Sequence, residues 1–321
     1  MKFLAWLLLP IALCGIAVAG AMHTYQSPGP LAAPVQVVVP RGGVAAAAAV
    51  LERDGIVQNA RTFTLAAWIT RGEGAIRSAE FAIPAGASLA DVLSILREGR
   101  AVQRRLTIPE GLLARQIAAL LDRAEALSGE TPAVAEGAVL PETYAYAHGE
   151  TRAAILRRAE EAMGRALAET WAARAEGLPL TTAREALVLA SIIERETGKP
   201  EERARVAGVF INRLRRNMPL QSDPTVAYAA ADGAVLDRPL TRADLERDHP
   251  FNTYRNRGLP PGPVASPGRE SLRAAVQPEV HDLLYFVADG SGGHAFARTL
   301  DEHNRNVARW REVERARGAR P

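Results

Sequence analysis

The sequence predicts an α+β protein: an N-terminal transmembrane helix, a small α+β unit, and a larger mixed α/β unit around a buried central helix. Three observations carry this. The chain has 321 residues, too many for one small domain and enough for about two. Phe3–Met22 runs without a charge, and about 20 apolar residues suffice to cross a bilayer core of about 30 Å. The stretch "ALVLASII", from Ala186 to Ile193, is apolar at every position but Ser191, as in a helix surrounded by protein on all sides.

The N-terminal run follows Lys2, and its length favours an uncleaved anchor over residues 1–24. Ala19 and Ala21 form the A-x-A pattern of a cleavable signal, the alternative reading. Leu13 ahead of Cys14 argues against a lipoprotein. With Lys2 inside, the remainder lies on the outer face of the cytoplasmic membrane, held by a single pass. Cys14 is the one cysteine, so an internal disulfide framework and a Cys-based zinc site are excluded. Basic and acidic residues number 39 and 36, a balance that does not indicate nucleic-acid binding.

Residues 25–34 are a Pro-rich linker. "VQVVVPRGG" then reads as a strand and turn, "VAAAAAVLERDG" as a helix stopped by Gly55, and "ARTFTLAAWITRG" as a second helix. "SAEFAIPAGASLADVLSILREGR" is a strand, a turn and a helix, with Ser88 and Asp91 as its capping box. Residues 35–105 thus form the small α+β unit. From Leu106 a strand and turn lead into another amphipathic helix, and a further helix runs over about 150–176. The central helix opens on a Thr182/Glu185 capping box and is expected to stop at Gly198. The next helix, "PEERARVAGVFINRLRRN", carries arginines on what reads as a solvated face. Residues 217–268 form a long irregular segment, of the kind that often carries function. "DLLYFVAD" and a glycine turn make a strand pair, and a last helix is capped by Thr299 and Glu302.

The central helix ends in Glu194 and Glu196. At about 100° per residue, Glu194 lies nearly in line with Leu187 and shares a face with Ala190 and Ser191. It therefore continues a buried stripe, whereas Glu196 turns toward a partner or water. A desolvated carboxyl has a raised pKa and can serve as a general acid in glycoside cleavage. The plain alternative is a salt bridge from Glu194 to Arg203 or Arg205. Nearby, "MPLQSDPTVAYA" and "FNTYRNRGLPPGP" supply amides, hydroxyls and an aromatic ring, the groups that hold a sugar; each is also ordinary turn chemistry.

"LASIIERETG", "VAGVFINRLRRNMPLQSDPTVAYA", "NTYRNRGLPPGPVASPG", "LYFVADGSGGHAFARTLDEHN" and "EGAVLPETY" occur in that family's order and spacing over about 35–310, and with them the chain resembles the YceG-like (MltG) endolytic murein transglycosylases. The resemblance implies a membrane anchor, a LysM-like subdomain at 35–105 and a YceG-like catalytic domain at 106–318. It implies non-hydrolytic cleavage of the MurNAc–GlcNAc β-1,4 bond inside peptidoglycan strands, giving 1,6-anhydro-MurNAc ends and terminating glycan elongation. Glu194 is then the expected catalytic acid. Gln221, Asp223, Thr225, Asn252, Thr253 and Tyr254 fall on family positions expected to bind substrate. No metal and no cofactor are needed; the partners are glycan strands and, by resemblance alone, the synthases that make them. Leu140, Glu142, Ser222, His249 and Ser266 depart from the usual family residues.

"DGSGGHAF" is a glycine turn between strands, since it lacks the P-loop and G-x-G-x-x-G spacings. His249, His281, His294 and His303 are scattered and suggest no metal site. Two rival functions remain. One is a lysozyme-type peptidoglycan hydrolase with Asp223 as second carboxylate; the other is a non-catalytic, membrane-tethered peptidoglycan-binding scaffold.

Overall fold

In the computed structural model, the backbone is described for residues 2–318 and side chains for residues 13–316. The chain divides into two units: residues 1–104 with 145–150, and 105–144 with 151–321.

The first helix, α1 (Lys2–Gln26), requires a correction. Among the described residues no helix is long and apolar enough to cross a membrane. The side chains described in α1 begin at Leu13, and from there the helix passes through Gly15 and Gly20 to His23, Thr24 and Gln26. Its last turn instead packs Tyr25 against the apolar core of the first unit. The rest of the expected span, residues 1–12, lies outside the described side chains. The single-pass anchor, and the membrane localisation drawn from it, are therefore not supported.

The first unit pairs β1 (Val35–Val38) antiparallel with β2 (Glu80–Ile83), Val35 opposite Ile83. On this hairpin-sized sheet pack α2 (Gly43–Arg53), α3 (Ala60–Ile69) and α4 (Leu89–Glu98), burying Leu51, Phe63, Phe81, Leu93 and Leu96. Asn59 caps α3 by accepting from the backbone N–H groups of Arg61 and Thr62. Ser88 and Asp91 form the reciprocal box at α4. Each cap satisfies N–H groups that the helix leaves orphaned.

The second unit holds more helix than the expected mixed α/β sheet. Its strands form only two-stranded sheets: β3 (Arg104–Thr107) with β4 (Thr143–Tyr146), and β5 (Tyr285–Ala288) antiparallel to β6 (His294–Ala297). Its helices are α5 (Ala114–Arg123), α6 (Arg152–Ala172), α7 (Ala183–Glu196), α8 (Arg203–Arg215), α9 (Asp223–Ala230), α10 (Arg242–Glu246), α11 (Arg269–Val276) and α12 (Leu300–Gly318).

The central helix is α7, in contact with α6, α8, α9 and α11. Leu189, Ala190, Ile192 and Ile193 are fully buried with Phe210, Val264, Leu272 and Ala275. Ser191 is tolerated there because its hydroxyl donates to the Val188 carbonyl (2.7 Å) and accepts from the Val264 N–H (3.0 Å). Both buried polar atoms are thereby satisfied. The helix opens on the Thr182/Glu185 box. Its last residue is Glu196, two positions before Gly198: Thr197 is already extended (φ −135°, ψ 128°), and its hydroxyl accepts from the Lys199 N–H.

Candidate active site

Glu196 is the last residue of α7. It lines a cavity of about 570 Å³ together with Arg213, Gln221, Asp223, Tyr254 and Tyr285, within the size range of small-molecule sites. Its Oε1 accepts a 2.5 Å hydrogen bond from the Ser222 hydroxyl. Burial pushes the Glu196 carboxyl up to about 7; the nearby Asp223 charge adds to this, while Ser222 and Arg213 oppose it. A carboxyl so placed can hold a proton near neutrality and release it to an acceptor in the cavity.

Glu194 lies elsewhere. Its carboxylate binds Arg203 (3.3 Å) and accepts the Gly268 N–H (2.9 Å), and Arg203 also meets Glu110 at 3.3 Å. Its side chain is 5% exposed and is not part of the Glu196 cavity wall. The salt bridge to Arg203 named in the alternative reading is formed, and Glu194 stands outside that cavity. The helical wheel identifies the reason. Glu196 follows Leu189, Ile192 and Ile193 at spacings of seven, four and three, and all three are fully buried. Leu187, the guide to Glu194, is only half-buried. The deeper stripe leads to Glu196.

Two residues with positive φ shape the loop opposite. Asn217 (φ 49°) ends the turn after α8, and Gln221 (φ 48°) reverses the chain into α9. Such left-handed non-glycine positions persist only where surroundings hold them. Arg213 does much of the holding. Its Nε donates to the Leu284 carbonyl (2.6 Å), and its Nη1 donates to the Leu220 carbonyl (2.9 Å) and to Gln221 Oε1 (3.3 Å). Arg213 is buried and Arg203 nearly so, which corrects the reading of these arginines as a solvated face. Burial lowers the Arg213 pKa from its usual value.

The six expected substrate-binding residues separate into two groups. Gln221, Asp223 and Tyr254 reach the cavity, where the Tyr254 hydroxyl donates to Asp223 Oδ1 at 2.6 Å. Burial and Asp223 raise the Tyr254 pKa, keeping the phenol protonated. Thr225, Asn252 and Thr253 are buried and support the backbone instead. The Thr253 hydroxyl accepts the Ser222 N–H (3.0 Å) and pairs with the Thr225 hydroxyl (2.8 Å). Asn252 donates to the Leu245 and Arg247 carbonyls and accepts the Tyr254 N–H. Ser222, one of the hydroxyls of "MPLQSDPTVAYA" and a departure from the usual family residue, is the direct partner of Glu196.

A second carboxyl with a raised pKa, Glu136, is also pushed to about 7 by burial. It accepts the Ala114 N–H at the start of α5 (3.0 Å) and a hydrogen bond from Tyr228. Its role there is to close a helix terminus.

The comparison with known families agrees with the motifs. The model of the YceG-like family matches residues 37–309. The chain belongs to the YceG-like family. An endolytic murein transglycosylase of Bacillus subtilis is 41% identical over 170 residues, covering 53% of this chain and 46% of that protein. One from Streptococcus pneumoniae is 36% identical over 180 residues, covering 54% of this chain and 32% of that protein. The matched part thus spans half or less of these relatives. The crystal structure of a yceG-like protein from Listeria monocytogenes shares the YceG-like fold with a TM-score of 0.54 at 27% identity, covering 85% of this chain and 98% of that one.

Proposed function

We propose that this chain is an endolytic lytic transglycosylase of peptidoglycan, with Glu196 as its single acid and base. The observation that carries the reading is one carboxyl, held near pKa 7 at the wall of a sugar-sized cavity and fixed by the Ser222 hydroxyl. The YceG-like family and the names of the two relatives supply the polymer.

Both steps use that one group. Protonated Glu196 gives its proton to the glycosidic oxygen, and the C1–O bond to the departing GlcNAc breaks. The muramic C6 hydroxyl then attacks C1 of the oxocarbenium-like sugar, and the Glu196 carboxylate takes the hydroxyl proton. The product is a 1,6-anhydro ring, and the acid is restored. An intramolecular nucleophile gains from proximity, and no second carboxylate is required to activate water. Gln221, Asp223 and Tyr254 orient the sugar, while Thr225, Asn252 and Thr253 hold the loop that presents them. The first unit is assigned to glycan binding as a LysM-like element. Glycan strands are the substrate, and the synthases that polymerise them are the enzymes whose product this reaction consumes.

The test is the chemistry of the new ends after incubation with purified peptidoglycan. Anhydro-muramic ends, read by mass, are expected. Reducing ends would instead assign a hydrolase with Asp223 activating water, and binding without cleavage would assign a scaffold.

A further inference from the structure

One wall of the cavity is built by α12. Leu300, His303, Asn304, Val307 and Trp310 recur at helical spacing, and all five line it. His303 stands out among them. Its ring stacks on Tyr285 with centroids 5.2 Å apart and planes 25° from parallel. The Arg213 guanidinium lies 5.2 Å from the centroid of the same Tyr285 ring. Tyr285 thus links the imidazole to the arginine that holds Gln221. His303 Nδ1 is buried yet has no hydrogen-bond partner among the described residues. A buried polar atom left unpaired is costly, and such an atom on a residue lining a cavity is explained by a partner that arrives with a ligand. Burial, and then the Arg213 charge, lower the His303 pKa, so the ring is neutral and one nitrogen can accept a hydrogen bond.

We infer that His303 is a substrate-binding residue whose Nδ1 accepts a hydrogen bond from a hydroxyl or acetamido N–H of an N-acetylhexosamine unit bound in the Glu196 cavity. The stack on Tyr285 fixes the ring plane. The α12 wall then sets which sugar unit is accepted, a role separate from proton transfer at Glu196. This inference rests on the reading of the cavity as the glycan site.

The probe is the tetrasaccharide of two GlcNAc–MurNAc units, titrated calorimetrically into the full chain carrying Glu196→Gln, which binds without cleaving. Adding His303→Phe keeps an aromatic ring to stack on Tyr285 and removes the acceptor; Kd is expected to rise about tenfold, as for one lost hydrogen bond. Adding His303→Gln instead restores an acceptor and is expected to recover part of the affinity. In the cleaving protein, His303→Phe is expected to raise KM with kcat nearly unchanged. Unaltered affinity in the Phe variant overturns the inference, as does equal weakening by Phe and Gln, which would make the residue a packing element. Failure of the Glu196→Gln protein itself to bind the tetrasaccharide would instead overturn the glycan reading on which the inference stands.

Discussion

At the scale of single residues, two glutamates separated by one position on α7 have opposite fates. Glu194 is paid for by Arg203 and the Gly268 N–H, and removing its charge leaves the nearly buried Arg203 facing only the more exposed Glu110 among the described residues. Glu194→Gln is therefore expected to lower the unfolding free energy by roughly 2–4 kcal/mol in denaturant titration, while cleavage per folded molecule persists. Glu196 behaves the other way. Its folded pKa of about 7 exceeds the unfolded value of about 4.3, so between those pH values the folded state binds the extra proton. Stability from this group is complete at low pH and falls as pH rises through that window. Glu196→Gln, which stays neutral, is expected to be more stable than the native chain at pH 8, by roughly 3 kcal/mol, and nearly equal to it near pH 4. A native chain as stable as the variant at pH 8 would contradict the raised pKa. Cleavage should decline above about pH 7 as Glu196 loses its proton. The sequence contained both glutamates and the correct wheel geometry. What it lacked was depth, because burial of the Leu189–Ile192–Ile193 stripe is set by α6, α8 and α11, which no local pattern encodes.

At the scale of elements, the ends of helices were legible because capping is local chemistry. The boxes at Ser88, Thr182 and the Thr299–Glu302 pair are all formed. The long segment over 217–268 was legible only as irregular. Its shape comes from contacts between distant residues, such as Arg213 to Leu284 and Ser222 to Thr253. The same holds for glycine within α8. Helix propensity alone favours Gly208→Ala by about 1 kcal/mol. The new Cβ, however, would stand 2.4 Å from the Glu279 carbonyl oxygen and 2.6 Å from His281 Nε2. Overpacking against backbone costs typically 1–3 kcal/mol and wins, so Gly208→Ala is expected to lower the denaturant midpoint. A higher midpoint would show that the 279–281 segment yields without cost.

At the scale of the whole molecule, the YceG-like family was legible from motif order, and the family match over residues 37–309 bears it out. The membrane-spanning helix expected from apolar length is not supported: among the described residues no helix is long and apolar enough to cross a membrane, and Tyr25 at the polar end of α1 packs into the first unit. Because proton transfer through one carboxyl accounts for both steps, chelation with EDTA is expected to leave cleavage unchanged, measured as release of soluble glycan. The central claim is that Glu196, and not Glu194, moves the proton. The most direct test incubates the native chain, Glu196→Gln and Glu194→Gln with the same peptidoglycan and counts anhydro-muramic ends by mass. The account predicts such ends from the native chain and from Glu194→Gln, and a loss of at least about 100-fold in Glu196→Gln. Full activity in Glu196→Gln, with loss in a folded Glu194→Gln, would return the acid to Glu194 and contradict the account.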